Sequence, residues 1–365
     1  MKKTSFLFGI WVIVLLLTPG VFGLIGVHPN RVQSGAQTSA PTFQADRLLQ
    51  RSYYGEVDAY VRSETPVRGL GLWSRSLIDY ELFGDSWQPF VAAGANDFLF
   101  FRFQVDLPCG ALAAINPPTL PEALDSDPDS RVFVVLNSGK HAFYGDLLKA
   151  HDQPEPCVVD ERAAARQRMS EATFAIDVDA ALESAAAAEE VFFRHDTHWS
   201  PTGRMVAAET LIDAIAPGLW DPGAVIEDEI PELAALGRFL GRTEGVVSGP
   251  TVSRPAIDLT TMNQQTTADG LIQSQRTRAT GAPVISGRTL LIGDSQMAYL
   301  VPEIESYFED LEFFLWDSLA TTSSLPSAEG VDRVIVQSVE TAAGRRFAHP
   351  QLERVFGELV KSDDD

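Results

Sequence analysis

Cysteine is nearly absent from this chain: Cys109 and Cys157 are the two cysteines in 365 residues. No CxxC pair and no Cys/His set at metal-ligand spacing occurs, so a structural zinc site is not expected. Positive charge is also short, with 28 Lys plus Arg against 50 Asp plus Glu and a net charge of −22. Such a surface repels phosphate backbones and anionic lipid, which argues against nucleic-acid partners and polybasic membrane attachment. It also weighs against a strongly anionic substrate, unless a local basic pocket offsets the field. Lysine is the scarcer cation, which reads as coding bias rather than function. Internal repeats and disorder-type composition are lacking: 45% of residues are hydrophobic and 21% charged, as in ordinary globular proteins. The length suffices for one large domain or two small ones.

The N-terminus carries the first positive signal. Met1-Lys2-Lys3 precedes an uncharged apolar run from Phe6 to Val27, interrupted by Thr18-Pro19-Gly20. At about 1.5 Å per residue this run is long enough to cross a hydrocarbon layer of about 30 Å. Basic residues before it would leave the N-terminus in the cytoplasm and the remainder outside. A cleaved signal peptide ending near Val21-Phe22-Gly23 is the rival reading; the body of the chain is exported in either case. In an oxidising compartment Cys109 and Cys157 suit a disulfide, with two free buried thiols as the alternative.

Residues 28–45 are polar, rich in Pro, Ser, Gly and Gln, and read as a linker, so the folded domain is expected over 46–365. Apolar β-branched runs at Arg131–Leu136, Phe174–Asp177, Val191–Phe193, Leu290–Ile292, Leu311–Trp316 and Val334–Val336 predict strands. Helical patterns lie between them at Glu161–Glu171, Val178–Glu189 and after Ser200-Pro201, where Ser is a natural N-cap and Pro a natural first residue. Strands alternating with helices predict an α/β fold with a central parallel sheet covered on both faces. Residues 244–287, rich in Thr, Ser, Gln and Gly with weak periodicity, break the rhythm and read as an insertion or mobile loop.

Two motifs carry chemistry. Leu290-Leu291-Ile292-Gly293-Asp294-Ser295 is a buried strand running into Gly-Asp-Ser and then a helix. Ligands of parallel sheets bind beyond the carboxyl ends of strands. There Ser295 is a candidate nucleophile whose amide, at a helix N-terminus, can donate to a developing oxyanion; the bland reading is a helix cap. A serine nucleophile needs a base, and among six histidines the useful pair lies in Arg194-His195-Asp196-Thr197-His198-Trp199-Ser200. The Asp-x-His spacing lets Asp196 hold one tautomer of His198, leaving the other ring nitrogen to take a proton. The alternatives are a loop acid with a packed imidazole, or a metal at His195-Asp196-Thr197-His198, where two histidines flank an aspartate but no further strong ligand lies nearby. Trp199 reads as a packing wedge before a sugar platform, and Arg194 and Lys140 as surface cations before substrate contacts. Asn137 is a weak candidate for a second oxyanion donor.

Taken together, these segments resemble the alginate O-acetyltransferase family, the AlgJ and AlgX type of SGNH-hydrolase-like domain. The resemblance rests on Tyr54–Arg68, Gly94–Arg102 (GANDFLFFR), Phe133–Tyr144 (FVVLNSGKHAFY), Phe193–Gly203 (FRHDTHWSPTG), Ile292–Ser295 (IGDS) and Val334–Glu340, in that order. Asp-x-His-Trp followed about a hundred residues later by Gly-Asp-Ser is far more specific than either motif alone. Departures are Asn96-Asp97-Phe98 in place of Gly-Trp, Asn137-Ser138-Gly139-Lys140 in place of Pro-x-Lys, and Gln296-Met297 in place of Phe-Ser. The resemblance implies a Ser295–His198–Asp196 triad and ping-pong transfer of acetyl, without a cofactor, to an extracytoplasmic polysaccharide. It leaves open a membrane acetyl-supply partner, and as alternatives an acetylesterase with the same triad or a non-catalytic scaffold subunit.

Overall fold

The computed structural model describes residues 75–361, apart from 77, 87, 122, 123, 125–130, 241–244, 268–270, 282 and 323. The expected anchor or signal segment 1–27, the linker 28–45, the resembling stretch 54–68 and the acidic tail 363–365 lie outside the described residues. Among the described residues no helix is long and apolar enough to cross a membrane.

The element order is β1 (Val91–Ala93), β2 (Leu99–Phe101), β3 (Val132–Asn137), α1 (Pro156–Ser170), β4 (Ala175–Ile176), α2 (Val178–Ala186) and α3 (Pro201–Ile215). There follow β5 (Val225–Pro231), α4 (Ala235–Phe239), β6 (Val246–Val252), β7 (Asp258–Thr266), β8 (Ile272–Thr280) and β9 (Ile285–Gly293). The chain continues through α5 (Ser295–Ile304), β10 (Phe308–Leu315), β11 (Arg333–Val339), α6 (Glu340–Phe347) and α7 (Pro350–Lys361). Seven strands form one sheet in the order β4-β3-β11-β9-β10-β8-β7. The pairs from β4 to β10 are parallel, whereas β8 and β7 add antiparallel to that edge.

The two-residue period of the strands sorts the core. Phe133, Val135, Leu291, Phe313 and Ile335 face Leu182 of α2, Leu211 of α3 and Val301 of α5. Their neighbours Val134, Leu136, Leu290, Ile292, Val334 and Val336 face Met169 of α1, Phe347 of α6 and Phe356 of α7. A strand buried on both faces must be continuously apolar, which is why these runs were readable. The expected helix start at Ser200 is also in place, its side chain accepting from the Gly203 amide at 3.1 Å.

Residues 244–287 are a correction to the loop reading. They contain β6, β7, β8 and the beginning of β9, and β7 pairs with β8 to extend the main sheet. Every residue of β7 is exposed, so no apolar alternation marks it. On β8 the buried positions are Gln275, Thr277 and Ala279, a two-residue period written in polar and small side chains. Cys109 and Cys157 form a disulfide with Cα atoms 5.7 Å apart, tying the segment before β3 to the first turn of α1.

Candidate active site

Three strands of the parallel sheet, β3, β9 and β11, end on the same side, and the motif residues gather there. Leu290, Leu291 and Ile292 are fully buried, and β9 passes through Gly293 into α5. Glycine serves close packing here: a Cβ at Gly293 would lie 2.5 Å from Met297 Cβ and 3.0 Å from Gln337 Oε1. Asp294 is the N-cap of α5. Its Oδ1 accepts from the Gln296 amide and from Gln337 Nε2, each at 3.0 Å. Its Oδ2 accepts from the Val339 amide at 2.7 Å and from Arg346 Nη1 at 2.9 Å. Four donors satisfy this buried carboxylate, so Asp294 fixes the turn rather than facing a ligand. Ser295 is then the first residue of α5, its backbone amide among those a helix leaves without an intrahelical acceptor.

His198 arrives from a tight hairpin. Phe192 bridges Trp199, the Ser200 amide donates to the Val191 carbonyl at 3.0 Å, and the Phe193 amide donates to the His198 carbonyl at 3.2 Å. His198 Nδ1 stands 2.5 Å from Asp196 Oδ1, and His198 Nε2 stands 2.8 Å from Ser295 Oγ. The ionised carboxylate can only accept, which places the ring proton on Nδ1 and leaves Nε2 to accept from the serine hydroxyl. Asp196 Oδ1 also accepts from the His198 amide at 3.0 Å, and Oδ2 from the Ala235 amide at the start of α4 at 2.5 Å. Burial alone would raise the Asp196 carboxyl, but the His198 imidazole and these hydrogen bonds hold it below its ordinary value. The Tyr299 ring packs edge-on against the His198 ring at 4.6 Å between centroids.

The remaining candidates separate. Arg194 is half exposed and paired with Glu190 at 2.9 and 3.0 Å, the surface pairing its context suggested. His195 turns away from His198 and meets Asp97 Oδ2 at 2.8 Å, so the two imidazoles engage different carboxylates. Among the described residues no group of three or more His, Cys, Asp or Glu is arranged to hold a metal ion. Trp199 is 1% exposed and belongs to the core, not to a sugar-stacking surface. Asn137 is fully buried at the end of β3, its Oδ1 accepting from Gln337 Nε2 at 2.5 Å, so it reaches the Gly-Asp-Ser turn through Gln337.

Lys140 corrects the surface-lysine reading. It is 1% exposed, and its ammonium reaches the carbonyls of Leu99 (2.8 Å), Phe193 (2.6 Å), Arg194 (2.6 Å) and Asp196 (3.2 Å). Burial pushes its pKa well below the usual lysine range. The surrounding carbonyls nevertheless accept three N–H bonds at once, a demand the ammonium meets and a neutral amine does not. Lys140 thereby anchors the loop that carries Asp196. The Gly-to-Asn-Asp departure has a backbone reason too: Asn96 and Asp97 have φ of 54° and 67°, a region where Asn and Asp substitute for glycine best.

The sheet and the Gly-Asp-Ser turn define an SGNH hydrolase-like α/β domain. The family described as "SGNH hydrolase-like domain, acetyltransferase AlgX" matches residues 127–297. Over that stretch the chain is similar to AlgJ/AlgX-type alginate O-acetyltransferases. It is 26% identical over 205 residues to the "Probable alginate O-acetylase AlgJ" of Pseudomonas syringae pv. tomato, covering 54% of this chain and 50% of that protein. It is 28% identical over 177 residues to the protein of the same description from Pseudomonas putida, covering 46% and 45%. The matches thus span about half the length of these curated relatives. Among solved structures, the "O-Acetyltransferase Domain of Pseudomonas putida AlgJ" aligns over 75% of this chain and 100% of that one, at 19% identity and a TM-score of 0.46.

Proposed function

We propose that the chain is an extracytoplasmic O-acetyltransferase that moves acetyl to hydroxyls of a polysaccharide through an acetyl-serine on Ser295. The reading is carried by one observation: the continuous path from Ser295 Oγ through His198 to Asp196, at 2.8 and 2.5 Å, between residues about a hundred positions apart.

In the first half-reaction Ser295 Oγ attacks the acetyl carbonyl of the donor while His198 Nε2 takes the hydroxyl proton. Asp196 keeps Nδ1 protonated and stabilises the imidazolium. The tetrahedral oxyanion forms beside the N-terminus of α5, whose Ser295 amide is an available donor. Collapse expels the donor's leaving group, which receives the proton from His198 and leaves acetyl on Ser295. In the second half a sugar hydroxyl gives its proton to His198, attacks the acetyl-serine and departs acetylated as Ser295 recovers its proton. Similarity to AlgJ proteins supports alginate or a related envelope glycan as acceptor and an extracytoplasmic site of action, with the N-terminal segment as anchor and a membrane acetyl-transfer partner as donor.

A chromogenic acetyl ester, assayed with and without oligosaccharide acceptor and followed by mass spectrometry of the protein, tests this. Acetyl is expected on the Ser295 peptide and, with acceptor present, on the sugar. Ser295→Ala should lower turnover by about 1,000-fold or more. Release of acetate that no acceptor alters would replace transferase with esterase. Full polysaccharide acetylation in cells carrying Ser295→Ala, but none in cells lacking the protein, would make the chain a scaffold.

A further inference from the structure

We infer that Gln296 is a positioning residue whose side-chain amide locks His198 in register with Ser295; this rests on the roles just proposed for that pair. Gln296 follows the serine directly and is 5% exposed. Its Nε2 donates to the Thr197 carbonyl at 2.8 Å, and its Oε1 accepts from the Trp199 amide at 3.1 Å. These backbone groups flank His198 on either side. One planar amide on the serine's own helix therefore grips the peptide of the base before and after the imidazole.

The grip is stiff because its root is stiff. The Gln296 backbone amide donates to Asp294, whose carboxylate is held in turn by Gln337, Val339 and Arg346. The 2.8 Å gap between Ser295 Oγ and His198 Nε2 is thus bridged twice, once by the reacting atoms and once by Gln296. Few side chains can do this. The contact demands a donor and an acceptor at the end of a two-carbon stem, which glutamine supplies in neutral form. Methionine fills the space and offers neither, while an ionised glutamate would turn an acceptor toward the Thr197 carbonyl.

Two substitutions and two readouts test this on the full chain. Gln296→Met should lower kcat for the chromogenic ester about 10- to 100-fold, as expected for slight misplacement of a catalytic group, with KM within about two-fold. It should also broaden or shift the downfield imidazole N–H resonance that His198→Asn removes from the NMR spectrum of the parent protein. Gln296→Glu should show a similar loss at pH 8. Its kcat relative to the parent should climb several-fold toward pH 5, because a protonated carboxyl again donates to Thr197 and accepts from Trp199. Thermal melts confirm that the variants fold. Parent-like kcat and an unmoved resonance in folded Gln296→Met would overturn the inference, as would a pH-independent ratio for Gln296→Glu. If Ser295→Ala retains turnover, the acetyl-serine reading fails, and the resonance in Gln296→Met still decides whether Gln296 positions the imidazole.

Discussion

The residues around the Gly-Asp-Ser turn divide into those that would react and those that hold them, and burial separates the two groups. Asp294, Lys140, Gln296 and Gln337 are all buried, each with its polar atoms turned toward the backbone or another side chain of the site. His141 belongs to this holding layer. Its Nε2 stands 2.5 Å from Arg162 Nη2, and Arg162 Nε donates to Glu340 at 2.7 Å. Burial, and then the Arg162 charge, lower its pKa from 6.5 to about 3, so the ring accepts from arginine as a neutral base. The unfolded chain binds a proton at His141 below about pH 6.5 that the folded chain refuses down to about pH 3. The stability this group contributes is therefore full above pH 6.5 and falls as the solution is acidified through that window. Chemical denaturation between pH 3.5 and 6.5 should find His141→Gln less sensitive to acid than the parent, by up to about 1.4 kcal/mol per pH unit. Parallel slopes would mean that the imidazole is protonated in the folded state. None of this was readable beforehand, because sequence gives a histidine or lysine its identity without its depth.

At the scale of elements, legibility followed the hydrophobic pattern. The stretches Val132–Leu136 of β3, Leu290–Ile292 of β9 and Val334–Val336 of β11 are apolar at every position because helices cover both faces there, and the Ser200-Pro201 helix start is local chemistry that packing did not alter. The edge strand β7 went unread because it is exposed throughout and need not be apolar, and β8, one strand further in, because its buried positions are Gln275, Thr277 and Ala279. The triad candidates were legible because Asp-x-His and Gly-Asp-Ser each sit at an element boundary. Gln296 was not, because its partners are backbone atoms in a loop about a hundred residues away. The disulfide lies between these cases: two cysteines in a chain expected to be exported suggested a pair, and the fold brings them together across a separation of 48 residues. Closing a loop of that size restricts the unfolded chain by about 4 kcal/mol in the chain-entropy account. Cys109→Ser/Cys157→Ser should accordingly unfold at lower denaturant, with a loss of about 2–4 kcal/mol, while the ester kcat changes little. A large kcat loss at unchanged stability would mean that this tie shapes the site instead of supporting the fold.

On the scale of the whole molecule, charge has to be reconciled with the proposed acceptor. The chain carries a net charge of −22. The described arginines are largely engaged with acids or carbonyls: Arg194 with Glu190, Arg276 and Arg278 with Asp310, Arg288 with Glu312, and Arg346 with Asp294. An anionic glycan would approach this field at an electrostatic disadvantage, whereas a small neutral ester would not feel it. Screening shortens the reach of such repulsion from about 30 Å at 0.01 M salt to about 8 Å at 0.15 M. If the acceptor is a polyuronate, its KM should therefore fall several-fold between those salt concentrations, while kcat/KM for a neutral acetyl ester stays nearly constant. The opposite trend, with KM rising as salt is added, would require a local cationic groove strong enough to outweigh the global charge. Indifference of both substrates to salt would favour a neutral acceptor, and would turn the acidic surface from an obstacle to the substrate into a feature of solubility alone.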